Sequence, residues 1–598
     1  MIPLTETWAQ GNGEDRNQGR SMVISQYGIV AAESPLASQA GVEVLRNGGN
    51  AIDAAIAANA VMGVVAPMSN GIGGDLFAII YDAKSEKLYG MNASGPAPSA
   101  LNAQMLRDKG FRQMPLRGIY SVTVPGAVDG WQKMEERFGR KKLADVLPAA
   151  IRIAEQGFAV PEWVAALWFQ DAKVVRDDPE AAQVYLNNDQ PMKLGQIFKN
   201  PDLAKSLSAI AAGGRDAFYQ GDIARSIVEA SKAHDGVMAM EDLASYSSEW
   251  VDPISTTYRG WTVYELPPNG QGVAALEMLN IMEGFPLGQQ APANPSALHT
   301  GSPLFINAAD AARALSANPR IEAEQAQQSA PNPWALNQTN TLHMMIEAKK
   351  LAYADLRKYI GEPKGNPAVM RAAAGMLSKD YATQRAKLID MNHAACTIEA
   401  GAPPMPAGGD TIYLSVVDRD GNMVSLIQSN YEHFGSGLVA KGTGFVLHDR
   451  GALFNLEKGS PNELTGKKRP LHTIIPAFME QGQTRIAFGI MGGWNQAQAH
   501  AQYVSHIVDF KQNIQMAMET ARFTKGTFEG CDVELENRIP GNVRGDLEKR
   551  GHVLRMANGF STRFGGGQAV MRDFASGVNY GASDPRKDGE AIPEIPWR

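Results

Sequence analysis

A threonine that opens a strand directly after a glycine-rich, acidic segment can do chemistry that an internal threonine cannot. The stretch Gly408-Gly409-Asp410-Thr411-Ile412-Tyr413-Leu414 has that form. A hydroxyl is a weak nucleophile at neutral pH and needs a base beside it. The residue's own α-amine titrates at about pH 8 and becomes such a base once the preceding peptide bond is cut. Cleavage between Asp410 and Thr411 would make Thr411 an N-terminal nucleophile for amide hydrolysis or acyl transfer. It would also divide one inactive precursor into residues 1–410 and 411–598. A Gly-Gly-Asp turn before a strand is common on its own, so the surrounding elements and motifs have to decide.

The strand that carries Thr411 runs to Asp418 and is followed by a turn over Arg419 to Asn422 and a second apolar run, Met423 to Ser429. This is the pattern of a hairpin. Further on, the run TRIAFGIMGG ends in Gly492-Gly493, and helices are predicted over 493–508 and 513–522. Ahead of the junction, Ser34 to Asn50 and Asp53 to Val65 read as two alanine-rich, closely packed helices. A hairpin follows around the turn Ala83 to Lys87. Residues 101–245 are helical in pattern, Trp261 to Glu265 is a short strand, and the turn PPNGQG leads into the helix Val273 to Met282. Residues 286–338, rich in Ala, Pro, Asn, Gln and Ser, read as a surface insertion. Thr341 to Arg357 restores an amphipathic helix. The Gly/Pro-rich linker from Ala394 to Asp410 then leads to the junction.

The chain has 598 residues, 44% of them hydrophobic, enough for an extensive core. A formal net charge of -7 with no basic run argues against nucleic acid as a partner. The apolar stretch Ala51 to Pro67 is short for a membrane span and carries Asp53, so a buried helix is expected and no membrane. Two cysteines, Cys396 and Cys531, exclude a disulfide framework and allow at most one bridge. Neither has a base partner in the sequence, and both are expected to be inert in a reducing compartment. The N-terminus lacks a basic region followed by an apolar run, so a cytoplasmic protein is expected. Ten histidines without ligand-like spacing give no catalytic metal. The turn SNGIGGD, ending at Asp75, lacks the lysine of a phosphate loop and reads as a close-packed turn.

Several blocks, in order, carry a resemblance. GGDTIYLSVVDRDGNMVSLIQS, FGSGLVAKGTGFVLHDRG, KRPLHTIIPAF and GIMGG resemble the γ-glutamyltransferase (γ-glutamyltranspeptidase) family of N-terminal nucleophile hydrolases. NGGNAIDAAIAANAVMGVVAP, GIGGDLFAIIYD, SVTVPGAVDGW and PPNGQGVAALEMLNI look like the same family's large subunit. The resemblance implies an α+β fold, a four-layer αββα sandwich. It also implies autocatalytic cleavage into a large chain, 1–410, and a small chain, 411–598, intertwined as one domain that stays associated and is open to further homo-oligomerisation. No cofactor is implied, and the partner is a small-molecule amide. Carried over by position, Thr411 is the nucleophile, Ser429 the second hydroxyl near it, and Gly492 and Gly493 the pair whose N–H groups form the oxyanion hole.

The substrate-binding positions depart from the γ-glutamyl pattern. Where the family grips an α-carboxylate with arginine ahead of an Ala-Pro pair, this chain has Asn92. Where it holds an α-amine, this chain has Tyr431, Arg450 and Leu453, and its paired serines are His472 and Thr473. The resemblance is therefore to the branch with oxamate amidohydrolase and cephalosporin acylases, and hydrolysis of a small, oxamate-like acyl amide is expected. The alternatives are a γ-glutamyl transpeptidase or glutathione hydrolase with a rearranged pocket, and a cephalosporin-type acylase. Arg450 and His472 could clamp a substrate carboxylate; equally, Arg450 could pair with Asp449 or another acid and His472 could be a satisfied core histidine.

Overall fold

The computed structural model describes residues 18–288, 332–398 and 410–596, with only the backbone of Asp410. Most of the insertion expected over 286–338, the N-terminal segment and the Gly408-Gly409 lead lie outside the described residues.

The strands of the two large sheets fall into two groups along the chain. Before residue 290 come β1 (Val23–Ser25), β2 (Ile29–Ala32), β3 (Asp75–Asp82), β4 (Lys87–Ala93), β5 (Glu249–Val251), β6 (Ile254–Tyr258) and β7 (Trp261–Glu265). From residue 410 on come β8 (Asp410–Val417), β9 (Met423–Tyr431), β10 (Ala477–Gln481), β11 (Thr484–Ile490), β12 (Gly567–Asp573), β13 (Val578–Ser583) and β14 (Glu590–Pro593). Among the described residues they form two seven-stranded antiparallel sheets, β1-β13-β12-β11-β10-β7-β6 and β14-β2-β8-β9-β3-β4-β5. Both sheets mix strands from the two groups. In the second, β8 and β9 are clasped between β2 and β3.

The period of two along the strands explains the layering. In β3, Phe77, Ile79 and Tyr81 face the other sheet, and in β8 so do Tyr413 and Val417. The alternate residues Leu76, Ala78, Ile80, Ile412, Leu414 and Val416 pack instead against outer helices. These strands are thus apolar on both faces, which is why the sequence shows near-continuous hydrophobic runs rather than alternation. Helices α1 (Pro35–Arg46) and α2 (Ala51–Val65) cover the β8 sheet. On the other sheet lie α3 (Gly272–Met282) and α5 (Gln496–Val508), with α4 (Thr339–Tyr359) packed on α3. The result is the four-layer αββα arrangement that the resemblance implies.

Local chemistry fixes these elements near the site. The α2 N-terminus has a capping box: the Asn50 side chain accepts from the Ile52 and Asp53 N–H, and Asp53 accepts from the Asn50 N–H. The Asp418 carboxylate, at the turn between β8 and β9, accepts from the Ala51 N–H at 3.0 Å and from the Asn422 N–H at 2.9 Å. One side chain therefore ties the hairpin turn to the helix start. The observed helices differ from the sequence reading mainly at their ends: α1 stops at Arg46 and α4 extends to Tyr359. No helix among the described residues is long and apolar enough to cross a membrane.

The cysteines require a correction. Cys396 and Cys531 are not separate, inert thiols but a disulfide with Cα atoms 4.7 Å apart, across a sequence separation of 135 residues. A spacing of that size gives no local signal of pairing, and the cysteine usage no longer argues for a reducing compartment.

Candidate active site

Thr411 lies at the start of β8, on the face shared with Tyr413, and is buried. The register between β8 and β9 breaks at this point: Asp410 pairs with Tyr431 but Ile412 with Gln428, so Ser429 and Asn430 stand opposite Thr411. Such a bulge re-aims side chains and is common beside active sites. The Thr411 hydroxyl donates to Ser429 Oγ at 3.2 Å, and the Tyr431 N–H donates to the same oxygen at 2.7 Å. Tyr431 leaves the strand with φ of 75°, in the left-handed region. A buried aromatic residue there costs about 1–3 kcal/mol, which the surrounding contacts must hold.

Ser429 pairs across the sheet with Asp75, the first residue of β3. Asp75 is the centre of a fully buried polar cluster that the sequence reading missed. Arg450 donates from Nε to Asp75 Oδ2 at 2.7 Å and from Nη2 to Oδ1 at 3.2 Å. It also donates from Nη1 to Thr473 Oγ1 at 2.7 Å, and its guanidinium lies 4.9 Å from the Tyr431 ring centre. His472 Nε2 stands 2.8 Å from Asp75 Oδ2 and His448 Nδ1 3.4 Å from it. Burial alone would raise the Asp75 carboxyl, but Arg450 and His472 overcome it and hold the group well below the usual carboxylate range. Burial, with Arg450 adding to it, pushes His472 down to about 4, so the ring is neutral at pH 7. Its Nδ1 has no hydrogen-bond partner among the described residues.

Of the two arrangements left open by the sequence, Arg450 is thus paired with an acid, and the acid is Asp75 rather than Asp449. Asp449 instead accepts from the Glu432 N–H at 3.0 Å. An isolated guanidinium facing the substrate is not what the structure contains. Two N–H groups of Arg450, one on each terminal nitrogen, are left without acceptors among the described residues.

The turn after β7 supplies further residues the sequence reading did not single out. The His472 N–H donates to Asn269 O at 2.8 Å, and the Gln271 N–H to His472 O at 3.0 Å. Gln271 Nε2 donates to Thr473 O at 2.5 Å and to Gly493 O at 2.9 Å, joining the 472–473 segment to the glycine turn. Asn92 belongs to this network: it donates to Asn269 Oδ1 at 2.9 Å and accepts from the Ser94 hydroxyl at 2.6 Å.

Gly492 and Gly493 have φ of 127° and 58°, conformations open to glycine and costly for other residues. Neither N–H donates to an acceptor among the described residues. The turn is fixed at its edges. The Ile490 N–H donates to His500 Nε2 at 3.0 Å, and His500 Nδ1 lies 2.8 Å from Glu265 Oε1. Since Nε2 accepts, Nδ1 carries the proton and donates to Glu265. Strand β11, helix α5 and strand β7 therefore converge on the two glycines.

A profile described as Gamma-glutamyltranspeptidase matches residues 37–328 and 320–594, nearly the whole chain. The chain belongs to that family. It is 31% identical to the glutathione hydrolase-like YwrD proenzyme of Bacillus subtilis, over 95% of this chain and 99% of that one. It is 29% identical to the oxamate amidohydrolase proenzyme of Klebsiella pneumoniae, over 95% and 98%. The crystal structure of cephalosporin acylase from Bacillus halodurans superposes with a TM-score of 0.83 at 36% identity, covering 98% of both chains. This member of the γ-glutamyltranspeptidase family is accordingly an enzyme of the amide hydrolase and acyltransferase class.

The described residues also contain a buried histidine–glutamate group, His343, Glu347 and His552. Its atoms are already engaged. His343 Nδ1 and His552 Nε2 are 2.8 Å apart, His343 Nε2 donates to Asp390 O at 2.8 Å, and Lys350 Nζ donates to Glu347 at 2.6 Å. The Glu347 carboxylate is thus already paired with an ammonium.

Proposed function

We propose that this family member is a precursor that cleaves itself between Asp410 and Thr411, and that the mature enzyme hydrolyses a small, oxamate-like acyl amide through an ester on Thr411. The observation that carries the reading is the buried Thr411–Ser429 hydroxyl pair at a strand bulge.

In the intact chain the Thr411 nitrogen belongs to the amide with Asp410 and cannot act as a base. Processing starts when Thr411 Oγ1 attacks the Asp410 carbonyl carbon. The C–N bond breaks, the nitrogen takes the proton, and the resulting ester is hydrolysed by water. The freed α-amine then accepts the hydroxyl proton as Oγ1 attacks a substrate amide. The Gly492 and Gly493 N–H groups receive the developing oxyanion, a donor of this kind being worth about a hundredfold or more in rate. The amine leaves with the proton, and water hydrolyses the acyl ester to regenerate Thr411. Ser429 orients the hydroxyl in both reactions.

Tyr431, Arg450, His472 and Thr473 line the acyl end in this reading, with Asn92 bracing the turn behind them. Arg450 acts as half of a neutral pair with Asp75. Its two remaining N–H groups, with the unpaired His472 Nδ1, suit the oxygens and nitrogen of a small polar acyl group. The interleaving of strands from either side of residue 410 supports two chains that remain associated after cleavage.

A second reading, γ-glutamyl hydrolysis, is favoured by one observation: the Asp75 carboxylate beside Arg450 removes the charge that would repel an α-amine. End-group sequencing of active protein decides the first claim, since it must reveal a chain starting Thr-Ile-Tyr-Leu. Turnover of oxamate compared with glutathione decides the substrate, and preferential release of glutamate would replace the first reading by the second.

A further inference from the structure

Cys396 lies ahead of the proposed cleavage site and Cys531 beyond it. We propose that their disulfide is a covalent link between the two mature chains, so that cleavage yields a disulfide-bonded heterodimer rather than two chains held by packing alone. The inference rests on cleavage at Asp410–Thr411.

The bond sits in a built junction. The Ala394 N–H donates to Arg550 O at 2.6 Å, and the Gly530 N–H donates to Cys396 O at 2.9 Å, on either side of the disulfide. From the other direction, α4 grips the same segment: Ala395 donates its N–H to Glu347 at 3.2 Å, and Lys350 Nζ donates to Ala395 O at 2.9 Å. Glu347 and Lys350 are themselves paired and buried. Ala394 and Cys396 are therefore fastened to the later part of the chain and Ala395, between them, to α4, close before the segment that ends at the cut. After cleavage the large chain's new C-terminal stretch, 397–410, would stay anchored at Cys396 instead of carrying the preceding segment away. A covalent link also makes rejoining of the chains intramolecular, with an effective concentration on the order of millimolar.

The test uses the full-length protein, purified without reductant and alkylated with iodoacetamide before denaturation. Electrophoresis is run with and without dithiothreitol, which reduces the disulfide to two thiols and closes to its own cyclic disulfide. The expected result is one full-size species without dithiothreitol and two, residues 1–410 and 411–598, with it. Two separate chains in both lanes overturn the tether and leave cleavage standing. A single uncut chain in the reduced lane overturns the cleavage, and the tether with it. In a second measurement, recovery of activity after dilution from urea should not change over a tenfold range of protein concentration. For Cys396→Ser it should fall with dilution; equal concentration dependence of the two proteins counts against the link.

Discussion

Arg450 grips both carboxylate oxygens of Asp75, at 2.7 and 3.2 Å, and Asp75 is the residue that faces Ser429 across the sheet. The second hydroxyl of the site is thus one strand away from a buried ion pair. Removing one partner of such a pair strands the other charge, at a cost of about 3–5 kcal/mol. Asp75→Ala should therefore lower the denaturant midpoint strongly and reduce cleavage and turnover. Asp75→Leu combined with Arg450→Met should regain most of the stability but not the activity, because the pair also places Thr473 and Tyr431. A single Asp75→Ala variant as stable as the parent would show that the pair does not form.

In the proposed mechanism Thr411 serves in both cleavage and turnover through one oxygen. Thr411→Ala should remain a single chain and show no hydrolysis, whereas Thr411→Ser should retain both at lower rate. Ser429→Ala leaves the nucleophile but removes the oxygen that accepts its hydrogen bond at 3.2 Å. A loss of about tenfold in the rate of each step is expected, the worth of roughly one hydrogen bond. Mass spectrometry over a time course after synthesis reads the first step and a product assay the second. A Thr411→Ala preparation that still cuts at the same bond would remove Thr411 from the mechanism.

The Thr411 strand and its hairpin were legible because a long apolar run, a polar turn and a second run have few alternative readings. Trp261 to Glu265 was legible with its bounds for the same reason. Asp75 was not, since Gly73-Gly74-Asp75 reads locally as a turn. Its signal was only a charged residue at the head of a strand that is otherwise apolar on both faces. Asn269, Gln271 and His500 act through partners some 200 residues away in the chain, or through a neighbouring strand, and no periodicity encodes that. The charge at position 450 was visible, but the acid that answers it was 375 residues distant. The cysteine pair failed for the same reason.

Gly492 offers a way to separate the proposed oxyanion site from folding. A methyl group placed on it would meet neighbours no closer than 3.4 Å, so space is not the obstacle. Its φ of 127° is, because only glycine adopts that region cheaply. Gly492→Ala should shift the turn and misdirect the N–H groups, lowering kcat about a hundredfold while KM changes little. The thermal midpoint should fall by only a few degrees. A variant with unaltered kcat would dissociate this turn from transition-state binding.

Two buried histidines make stability sensitive to acid well above the carboxylate range. His472 is held at about 4 and His343 at about 4, against an unfolded value of about 6.5, mainly because burial disfavours their charged forms. At these two positions the unfolded chain therefore binds more protons than the folded one between those values, and the stability they contribute falls as pH drops from about 6.5 to about 4. For the fully buried His472 alone the loss approaches about 3 kcal/mol, on the order of 1.4 kcal/mol for each pH unit of separation. Asp75, held low by Arg450 and His472, loses its contribution only at more acidic pH still, in the same direction. Urea midpoints measured at pH 7, 5.5 and 4.5 should decline more steeply for the parent than for His472→Gln. His472→Gln should flatten part of that decline, since the amide does not titrate; an unchanged slope in the variant would show that His472 is not held neutral by its burial beside Asp75.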